Sequence, residues 1–347
     1  MKILIVRLGA LGDTVFASVA ISTIQQNLPE DTQIDWLGSP ITHSLFKHDP
    51  RINNVYSIKF KKLPTLLNAD KKQIISISKK APYDLIINLE NDAKFFSIVK
   101  QIHAKYKVGA PFTKGPDDSK QHAVESMLEV TKVGLAKLTK NNKSNYYPTT
   151  LVGSDYKALQ NKFNLPERYI VLHPGNSHVG RAGSINYRAW PITHWQSLAT
   201  SLCEKYHKTH SIILVGCPNE QAFIEQLEKD IDAKNILNLG GKTSVNELIT
   251  LIEQAELLIS TDTGPSHIAS AVKTPVLAML GPNDYRKTGP YSHADNQVEI
   301  ISLGLECSPC LPDGSIKNCR SNICMINLKP EIVLNKVATY IKEINGN

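Results

Sequence analysis

The amino-acid sequence predicts an α/β protein with two Rossmann-like, doubly wound parallel-sheet domains that face each other across a cleft. Short apolar segments alternate with amphipathic helical segments along the chain, which is the pattern of successive βαβ units. Most of the apolar segments run directly into loops of glycine and polar residues. The length of 347 residues suits two domains of ordinary size.

The composition narrows the class of protein. With 41% hydrophobic and 20% charged residues, the chain has the composition of a soluble globular protein. No apolar run approaches the roughly 18 residues that are needed to span a bilayer. Arg7 and Asp13 interrupt the apolar stretch at the N-terminus, so this stretch is not expected to be a signal peptide and a cytoplasmic location is predicted.

The first domain opens with an apolar strand at 2–6, a glycine-containing turn at 9–12 and an amphipathic helix at 15–27. The turn has the spacing G-x-x-G-D rather than G-x-G-x-x-G, which argues against a nicotinamide dinucleotide site. Asp13 stands at the start of the helix. Its carboxylate can either project into a cleft above the sheet or cap the helix, and the sequence leaves both interpretations open.

The formal net charge of +7 lies in residues 1–150, where Lys and Arg outnumber Asp and Glu, while residues 151–347 are close to neutral. Lysines are dense between residues 59 and 80. Such an excess suits an anionic partner: a nucleic acid, an acidic membrane surface or a phosphorylated substrate. Nucleic acid is not expected, because the sequence has no nucleic-acid-binding module and no aromatic residues interleaved with the lysines. A solvated lysine surface is the alternative.

The second domain follows a polar linker at 139–154. Because the carboxyl ends of parallel strands meet at one edge of a sheet, the polar groups that follow its strands are expected to gather there. These groups are His173 to Asn176, Glu220, Thr243, Asp262 and Asn283. The Gly-Lys-Thr at 241–243 is not a P-loop, because Ile236 occupies the position where that motif needs glycine.

The stretch from 255 to 291 carries the most functional information. An apolar strand at 257–259 runs into Thr-Asp-Thr-Gly at 261–264, and Pro265 suits the first turn of the helix that follows. Backbone N–H groups at this helix start, and the helix dipole, favour a phosphate. Asp262 would be repelled by a phosphate, so its carboxylate is expected either to accept hydrogen bonds from sugar hydroxyls or to cap the helix.

Four blocks of sequence resemble one family. They are RLGALGDTV at the N-terminus, HPGN followed by RAWP, GKTSVNELITLI, and STDTGPSHIASAVKTPVLAMLGPNDYRKTGPY. In this order and over most of the chain they resemble the bacterial ADP-heptose:lipopolysaccharide heptosyltransferases of glycosyltransferase family 9, which have the GT-B fold. The resemblance implies an inverting, metal-independent transfer of heptose from ADP-heptose to the lipopolysaccharide inner core, with peripheral contact at the inner face of the inner membrane.

The resemblance also assigns residues. Asp13 matches the general base that deprotonates the acceptor hydroxyl. Arg188 would supply a cation to the diphosphate, Glu220 would hold the ribose hydroxyls and Thr243 would lie near the adenine. The full set of expected donor-binding residues is Asn176, Arg188, Glu220, Thr243, Asp262, Thr263, Gly264 and His267. The expected acceptor-binding residues are Lys59, Lys61 and Lys62.

The resemblance implies three segments: an acceptor-binding domain at 1–154, a nucleotide-sugar-binding domain at 155–328 and a C-terminal helix at 329–347 that packs back toward the first domain. Two alternatives stay open. One is a GT-B glycosyltransferase with another nucleotide sugar, and the other is a non-catalytic sugar-nucleotide binding protein.

Four cysteines, called here the cysteine cluster, have the spacing C-x2-C-x8-C-x4-C: Cys307, Cys310, Cys319 and Cys324. This spacing is close to that of a structural zinc knuckle. Cysteines near this position are common among relatives that are not regarded as zinc enzymes, and a disulfide is disfavoured in the cytosol. A loop of reduced thiols is therefore the favoured interpretation, with structural zinc as the alternative, and no cofactor other than the ADP-sugar substrate is expected.

Overall fold

The computed structural model describes residues 1–59, 69–117, 119–140, 147–176, 186–312 and 314–341. The chain divides into two compact units, residues 1–152 and 153–347. The boundary predicted from the sequence was at residue 154.

The first unit is a five-stranded parallel sheet with the strand order β3-β2-β1-β4-β5. Its strands are β1 (Lys2–Val6), β2 (Gln33–Gly38), β3 (Asn54–Ser57), β4 (Tyr83–Asn88) and β5 (Ala104–Val108). Its helices are α1 (Leu11–Ala17), α2 (Val19–Asn27), α3 (Pro40–Phe46), α4 (Ala69–Lys80), α5 (Phe96–Gln101) and α6 (Ala123–Leu135). Ile3 to Val6 of the central strand are fully buried, as expected for a parallel sheet with both faces covered.

The single helix predicted at 15–27 is two helices, and the break lies at Ser18. The Ser18 hydroxyl donates to the carbonyl of Val15 at 2.7 Å and accepts the N–H of Thr150 at 2.9 Å. A side chain that bonds to the backbone in this way competes with the helix. The partner at 150 is distant in sequence, so local periodicity could not predict the break.

The second unit is a six-stranded parallel sheet with the order β11-β10-β9-β6-β7-β8. Its strands are β6 (Tyr169–His173), β7 (Ser211–Leu214), β8 (Ile236–Asn238), β9 (Leu257–Thr261), β10 (Val276–Met279) and β11 (Val298–Ile301). Its helices are α7 (Tyr156–Phe163), α8 (Ile192–Tyr206), α9 (Gln221–Lys229), α10 (Val245–Glu253), α11 (Gly264–Val272), α12 (Tyr285–Thr288), α13 (Ile323–Ile326) and α14 (Pro330–Tyr340). The prediction of two doubly wound parallel-sheet domains is confirmed.

The core of the second unit packs helices α8, α9 and α14 against one face of the sheet. Trp190 is 1% exposed, contacts Trp195 edge to face at 5.0 Å, and donates from its indole N–H to the carbonyl of Leu328 at 2.7 Å. Val333 and Val337 of α14 are buried in the same cluster. The C-terminal helix is thus part of the second core, and its expected return to the first domain stays a prediction.

Candidate functional site

The polar loops of the second unit come together because β6 lies between β9 and β7 in the sheet. His173, the last residue of β6, is in register with Ser260 of β9. The loops after these strands therefore leave the sheet side by side, at its carboxyl edge. This is where open α/β sheets bind ligands.

One imidazole joins two of these loops. His173 is 4% exposed. Its Nδ1 lies 3.0 Å from the hydroxyl of Thr263, which also pairs with the hydroxyl of Ser260 at 2.8 Å. Its Nε2 lies 3.5 Å from a carboxylate oxygen of Glu220. His173 thereby couples Glu220 in the loop after β7 to Thr263 at the start of α11.

Glu220 is a buried carboxylate that is held from several directions. Its Oε2 accepts the N–H of Cys217 at 2.7 Å. A Cβ atom built on Gly175 would lie 2.6 Å from the carboxylate carbon, so only glycine leaves room for it there. Burial acts to raise the pKa of Glu220, but the hydrogen bond and charge of His173 and the N–H of Cys217 outweigh it and hold the pKa below its ordinary value. The side chain is therefore an ionised acceptor, which suits donors such as sugar hydroxyls.

Arg188 and Asp262 form an ion pair at the same edge. The Nε of Arg188 lies 3.5 Å from Oδ2 of Asp262, and the side-chain amide of Asn283 donates to the same oxygen. Asp262 is 4% exposed, whereas about a third of the Arg188 side chain, 35%, is exposed. The guanidinium is therefore the accessible partner, and a buried carboxylate orients it.

The N-terminus of α11 is the place where the sequence predicts an anion site, and that assignment stays a prediction. Thr263 occupies the N-cap position, but its hydroxyl bonds to His173 and Ser260 instead of capping the helix. Gly264 begins the helix and Pro265 stands in its first turn. Because proline has no N–H to satisfy, this position suits it, and the N–H of Ser266 donates to the carbonyl of Thr263 at 3.1 Å. Ser266 and His267 follow, both buried.

Two more of the expected donor residues, Asn176 and Thr243, lie in the loops after β6 and β8. Asn176 is 4% exposed and accepts the side-chain N–H of Asn186 at 2.8 Å. Thr243 is half-buried and directly precedes Ser244, the N-cap of α10. The loop of Thr243 is tied to the loop after β7 by the N–H of Gly241, which donates to the carbonyl of Gly216 at 2.8 Å. No contact within the described part of the chain joins Thr243 directly to the other expected donor residues.

Asp13, in the first unit, is the third residue of α1. Its Oδ1 accepts from the Nη2 of Arg7 at 2.7 Å and its Oδ2 accepts the N–H of Ala10 at 3.0 Å. The side chain is still 40% exposed. Both interpretations offered by the sequence are therefore compatible with its position, since the carboxylate bonds to the turn before the helix and remains accessible.

The expected acceptor lysines are only partly described. Lys59 is exposed after β3. Lys61 and Lys62 lie outside the described residues. Their role in acceptor binding stays a prediction.

The four thiols of the cysteine cluster differ in exposure. Cys307 is exposed, Cys310 and Cys319 are half-buried, and Cys324 is buried. Burial, and then the neighbouring Cys310, Cys319 and Cys307, raise the pKa of Cys324 to about 11. Over the described residues, no group of three or more His, Cys, Asp or Glu side chains is arranged so that it could hold a metal ion.

The structure shows contacts of two residues that the sequence did not predict. His173 was expected at the sheet edge, but its contacts with both Glu220 and Thr263 depend on strand order and could not be read from the sequence. Arg7 was noted as a charge in the apolar N-terminal stretch and as the first residue of the block RLGALGDTV, and in the structure it binds Asp13. The feature of the sequence that could have indicated its role is its place directly after β1.

Among the described helices, none is both long and apolar enough to cross a membrane.

Comparison with known proteins agrees with the fold and the sequence blocks. A lipooligosaccharide heptosyltransferase 2 of Campylobacter jejuni subsp. jejuni is 26% identical over 352 residues, covering 99% of this chain and 99% of that one. The solved Escherichia coli ADP-heptose LPS heptosyltransferase II superposes with a TM-score of 0.75 at 19% identity, over 98% of each chain. The E. coli heptosyltransferase WaaC with ADP gives a TM-score of 0.71 at 20% identity, over 98% of this chain and 100% of that one.

The two solved structures are similar to this chain in fold, and both are GT-B proteins. The sequence profile of glycosyltransferase family 9 (heptosyltransferase) matches residues 79–320, which is more than half of the chain. The profile includes the Glu220, Arg188 and Asp262 region described above. The chain therefore belongs to glycosyltransferase family 9, the heptosyltransferases.

Proposed function

We propose that this glycosyltransferase moves heptose from ADP-heptose to the inner core of lipopolysaccharide, with inversion at the anomeric carbon and without a catalytic metal. The proposal rests on the groups that lie together at the carboxyl edge of the second sheet. There, two buried carboxylates, Glu220 and Asp262, lie with the guanidinium of Arg188 and the N-terminus of α11. Carboxylates accept from sugar hydroxyls, while a cation and backbone N–H groups stabilise a diphosphate.

The donor is assigned within this arrangement by the chemistry of each group. Glu220, held ionised, would accept the ribose hydroxyls. Asp262 would accept heptose hydroxyls, with Arg188 beside it facing the diphosphate. Gly264 would offer its backbone N–H group to the phosphates, and the dipole of α11 would favour their negative charge. Support for the adenine nucleotide comes from the relatives: one solved structure is named for ADP-heptose and another was solved with ADP.

In the proposed reaction, Asp13 takes the proton of an acceptor hydroxyl as that oxygen attacks the anomeric carbon. The new carbon–oxygen bond forms on the face opposite the leaving group. The bond from the anomeric carbon to the diphosphate oxygen breaks, and ADP leaves with the electron pair. The leaving diphosphate needs charge stabilisation more than a proton, and Arg188 and the start of α11 would supply it.

The acceptor is proposed from charge. The first unit carries the excess of basic residues, and the exposed Lys59 belongs to its lysine-rich segment. A phosphorylated lipopolysaccharide core is anionic and would be attracted to such a surface. We place the enzyme at the cytoplasmic face of the inner membrane, in peripheral contact with it, because an inner-core acceptor is lipid-anchored.

Asp13→Asn tests the catalytic assignment. The substitution keeps the size of the side chain and removes the base. We expect kcat for ADP release, with heptose-deficient lipopolysaccharide as acceptor, to fall by about 10²–10⁴, because general bases contribute on that order. The affinity for ADP measured by calorimetry should stay unchanged. Asp31→Asn, which removes an exposed carboxylate from the same unit, is the matched control and should leave both quantities unaltered.

Each of three other experimental outcomes would support a different interpretation of the protein. An unchanged rate in Asp13→Asn would mean that Asp13 only stabilises the helix start. Turnover of a different nucleotide sugar by the wild type, but not of ADP-heptose, would replace the donor. Tight ADP-heptose binding without turnover, for acceptors that carry the inner core, would support a sugar-nucleotide binding protein.

A further inference from the structure

A second carboxylate, Glu90, lies beside Asp13's partner Arg7. Glu90 follows β4 by two residues, and β4 is hydrogen-bonded to β1, whose carboxyl end leads into the turn that carries Asp13. The side chain is buried, with 6% of the residue exposed. A buried carboxylate at a sheet edge is costly unless it is paired and hydrogen-bonded, so its contacts show what it holds.

Glu90 binds the turn between β1 and α1 directly. Its Oε2 accepts the N–H of Leu8 at 3.1 Å, and its Oε1 accepts the N–H of Asp92 at 3.0 Å. One carboxylate therefore fixes the backbone of two loops, one after each strand. The loop held at Leu8 is the one that delivers Asp13.

Arg7 lies between the two carboxylates. Its Nη2 donates to Asp13 at 2.7 Å, while its Nη1 donates to the carbonyl of Leu89 at 2.9 Å and lies 3.9 Å from Oε1 of Glu90. The Arg7 side chain is 14% exposed. A guanidinium this buried needs a compensating negative charge. If Asp13 accepts a proton from the acceptor, its own charge is lost, and Glu90 is the carboxylate that remains beside Arg7.

We propose that Glu90 is a positioning residue for the transfer reaction: it holds Arg7 and the Leu8 backbone so that Asp13 is oriented to accept the proton, and it compensates Arg7 once Asp13 is neutral. The inference rests on the proposed role of Asp13 as the general base. It predicts that Glu90 affects the chemical step and leaves donor binding, which belongs to the second unit, untouched.

Glu90→Gln tests this proposal. The amide has the same shape but only one oxygen to accept from the two N–H groups, and it has no charge to offer Arg7. We expect kcat to fall by about tenfold or more, while the KM for ADP-heptose and the calorimetric affinity for ADP stay unchanged. Arg7→Lys, which keeps the positive charge but loses the forked contacts with Asp13 and Leu89, should give the same split between kcat and KM.

Asp84→Asn is the matched control. Asp84 lies on β4, the strand that Glu90 follows, and accepts the backbone N–H of Lys2 of β1 at 2.8 Å, at the amino edge of the sheet. It should lower the melting temperature to a similar extent as Glu90→Gln and leave kcat unaltered. Equal losses of kcat in both variants would show that Glu90 acts only through general stability and would overturn the inference.

A double-mutant cycle separates this inference from the proposed function. In the Asp13→Asn background, Glu90→Gln should reduce the residual rate by much less than tenfold, because residues that act as a unit are not additive. A full additional loss would overturn the inference and leave the role of Asp13 intact. Wild-type activity in Asp13→Asn alone would overturn the proposed function. If Glu90→Gln fails to fold, Arg7→Lys in the same cycle gives the same decision.

Discussion

Replacement of Glu220 by Gln tests how the second unit holds its donor. The change keeps the volume of the side chain and removes its charge. In the wild-type protein, Oε2 of Glu220 accepts the N–H of Cys217 at 2.7 Å and lies 3.5 Å from Nε2 of His173. Gln can accept the same N–H, but only as a neutral group, and it offers His173 no negative charge.

The magnitude follows from these two contacts. Hydrogen bonds to charged groups contribute about 1.5–3 kcal/mol and neutral ones about 0.5–1.5 kcal/mol, so the substitution should cost about 1–2 kcal/mol of folding free energy. For a unit of this size each kcal/mol lowers the melting temperature by about 2–4 °C, which gives a decrease of about 2–8 °C. If Glu220 holds the ribose, ADP affinity should fall by about tenfold or more, since 1.4 kcal/mol corresponds to a factor of ten.

The stability difference should also depend on pH. The pKa of Glu220 in the folded protein lies below its ordinary value of 4.5, so the unfolded chain binds the proton more readily. The contribution of the carboxylate to stability is therefore complete above pH of about 4.5 and is lost as the pH falls through the lowered folded pKa. The wild type should be more stable than Glu220→Gln at neutral pH, and the two should converge in acid.

Thermal unfolding at several pH values and calorimetric titration with ADP measure these effects. Glu225→Gln is the control, because Glu225 is an exposed carboxylate on α9 that accepts a side-chain hydrogen bond from Gln221 at 2.8 Å. It should change neither quantity. A Glu220→Gln protein with wild-type stability and wild-type ADP affinity would show that Glu220 neither stabilises the second unit nor holds the donor.

Three further predictions concern the second unit. Arg188→Ala should weaken ADP binding by about tenfold, because the exposed guanidinium is the cation oriented by Asp262; unaltered affinity by calorimetry would remove it from the site. Gly175→Ala should destabilise the protein by about 1–3 kcal/mol and weaken ADP binding, since its Cβ would lie 2.6 Å from the Glu220 carboxylate carbon; wild-type melting would contradict this packing. Metal analysis of the purified protein should find zinc well below one per chain, and one zinc per chain would show that the cysteine cluster is a metal site.

Much of the fold could be predicted from the sequence because the strands are buried on both faces. Strand β1 at Lys2–Val6 has the bounds predicted from its apolar run. Helix ends that depend on distant residues could not be predicted in this way. The Ser18 hydroxyl at the break accepts the N–H of Thr150, which is remote in sequence and is brought to the serine only by the fold.

The candidate site was predictable to the level of loops and motifs. The rule that parallel strand ends meet at one edge placed Glu220, Asp262 and His173 near one another. It could not give their pairing, because the contact between His173 and Glu220 depends on β6 lying next to β7, and strand order is not encoded in local periodicity. Glu90 gave the weakest signal, a single carboxylate after a buried strand, and its importance comes only from its contacts with Arg7 and Leu8.

The most direct test of the proposed function is the reaction of the wild-type protein with ADP-heptose and heptose-deficient inner-core lipopolysaccharide. Mass spectrometry of the acceptor and NMR of the new glycosidic bond are the measurements. If the proposed function is correct, each acceptor gains one heptose, ADP is released in equal amount, and the anomeric configuration is inverted relative to the donor. Transfer with retention of configuration, or transfer only from a different nucleotide sugar, would contradict it.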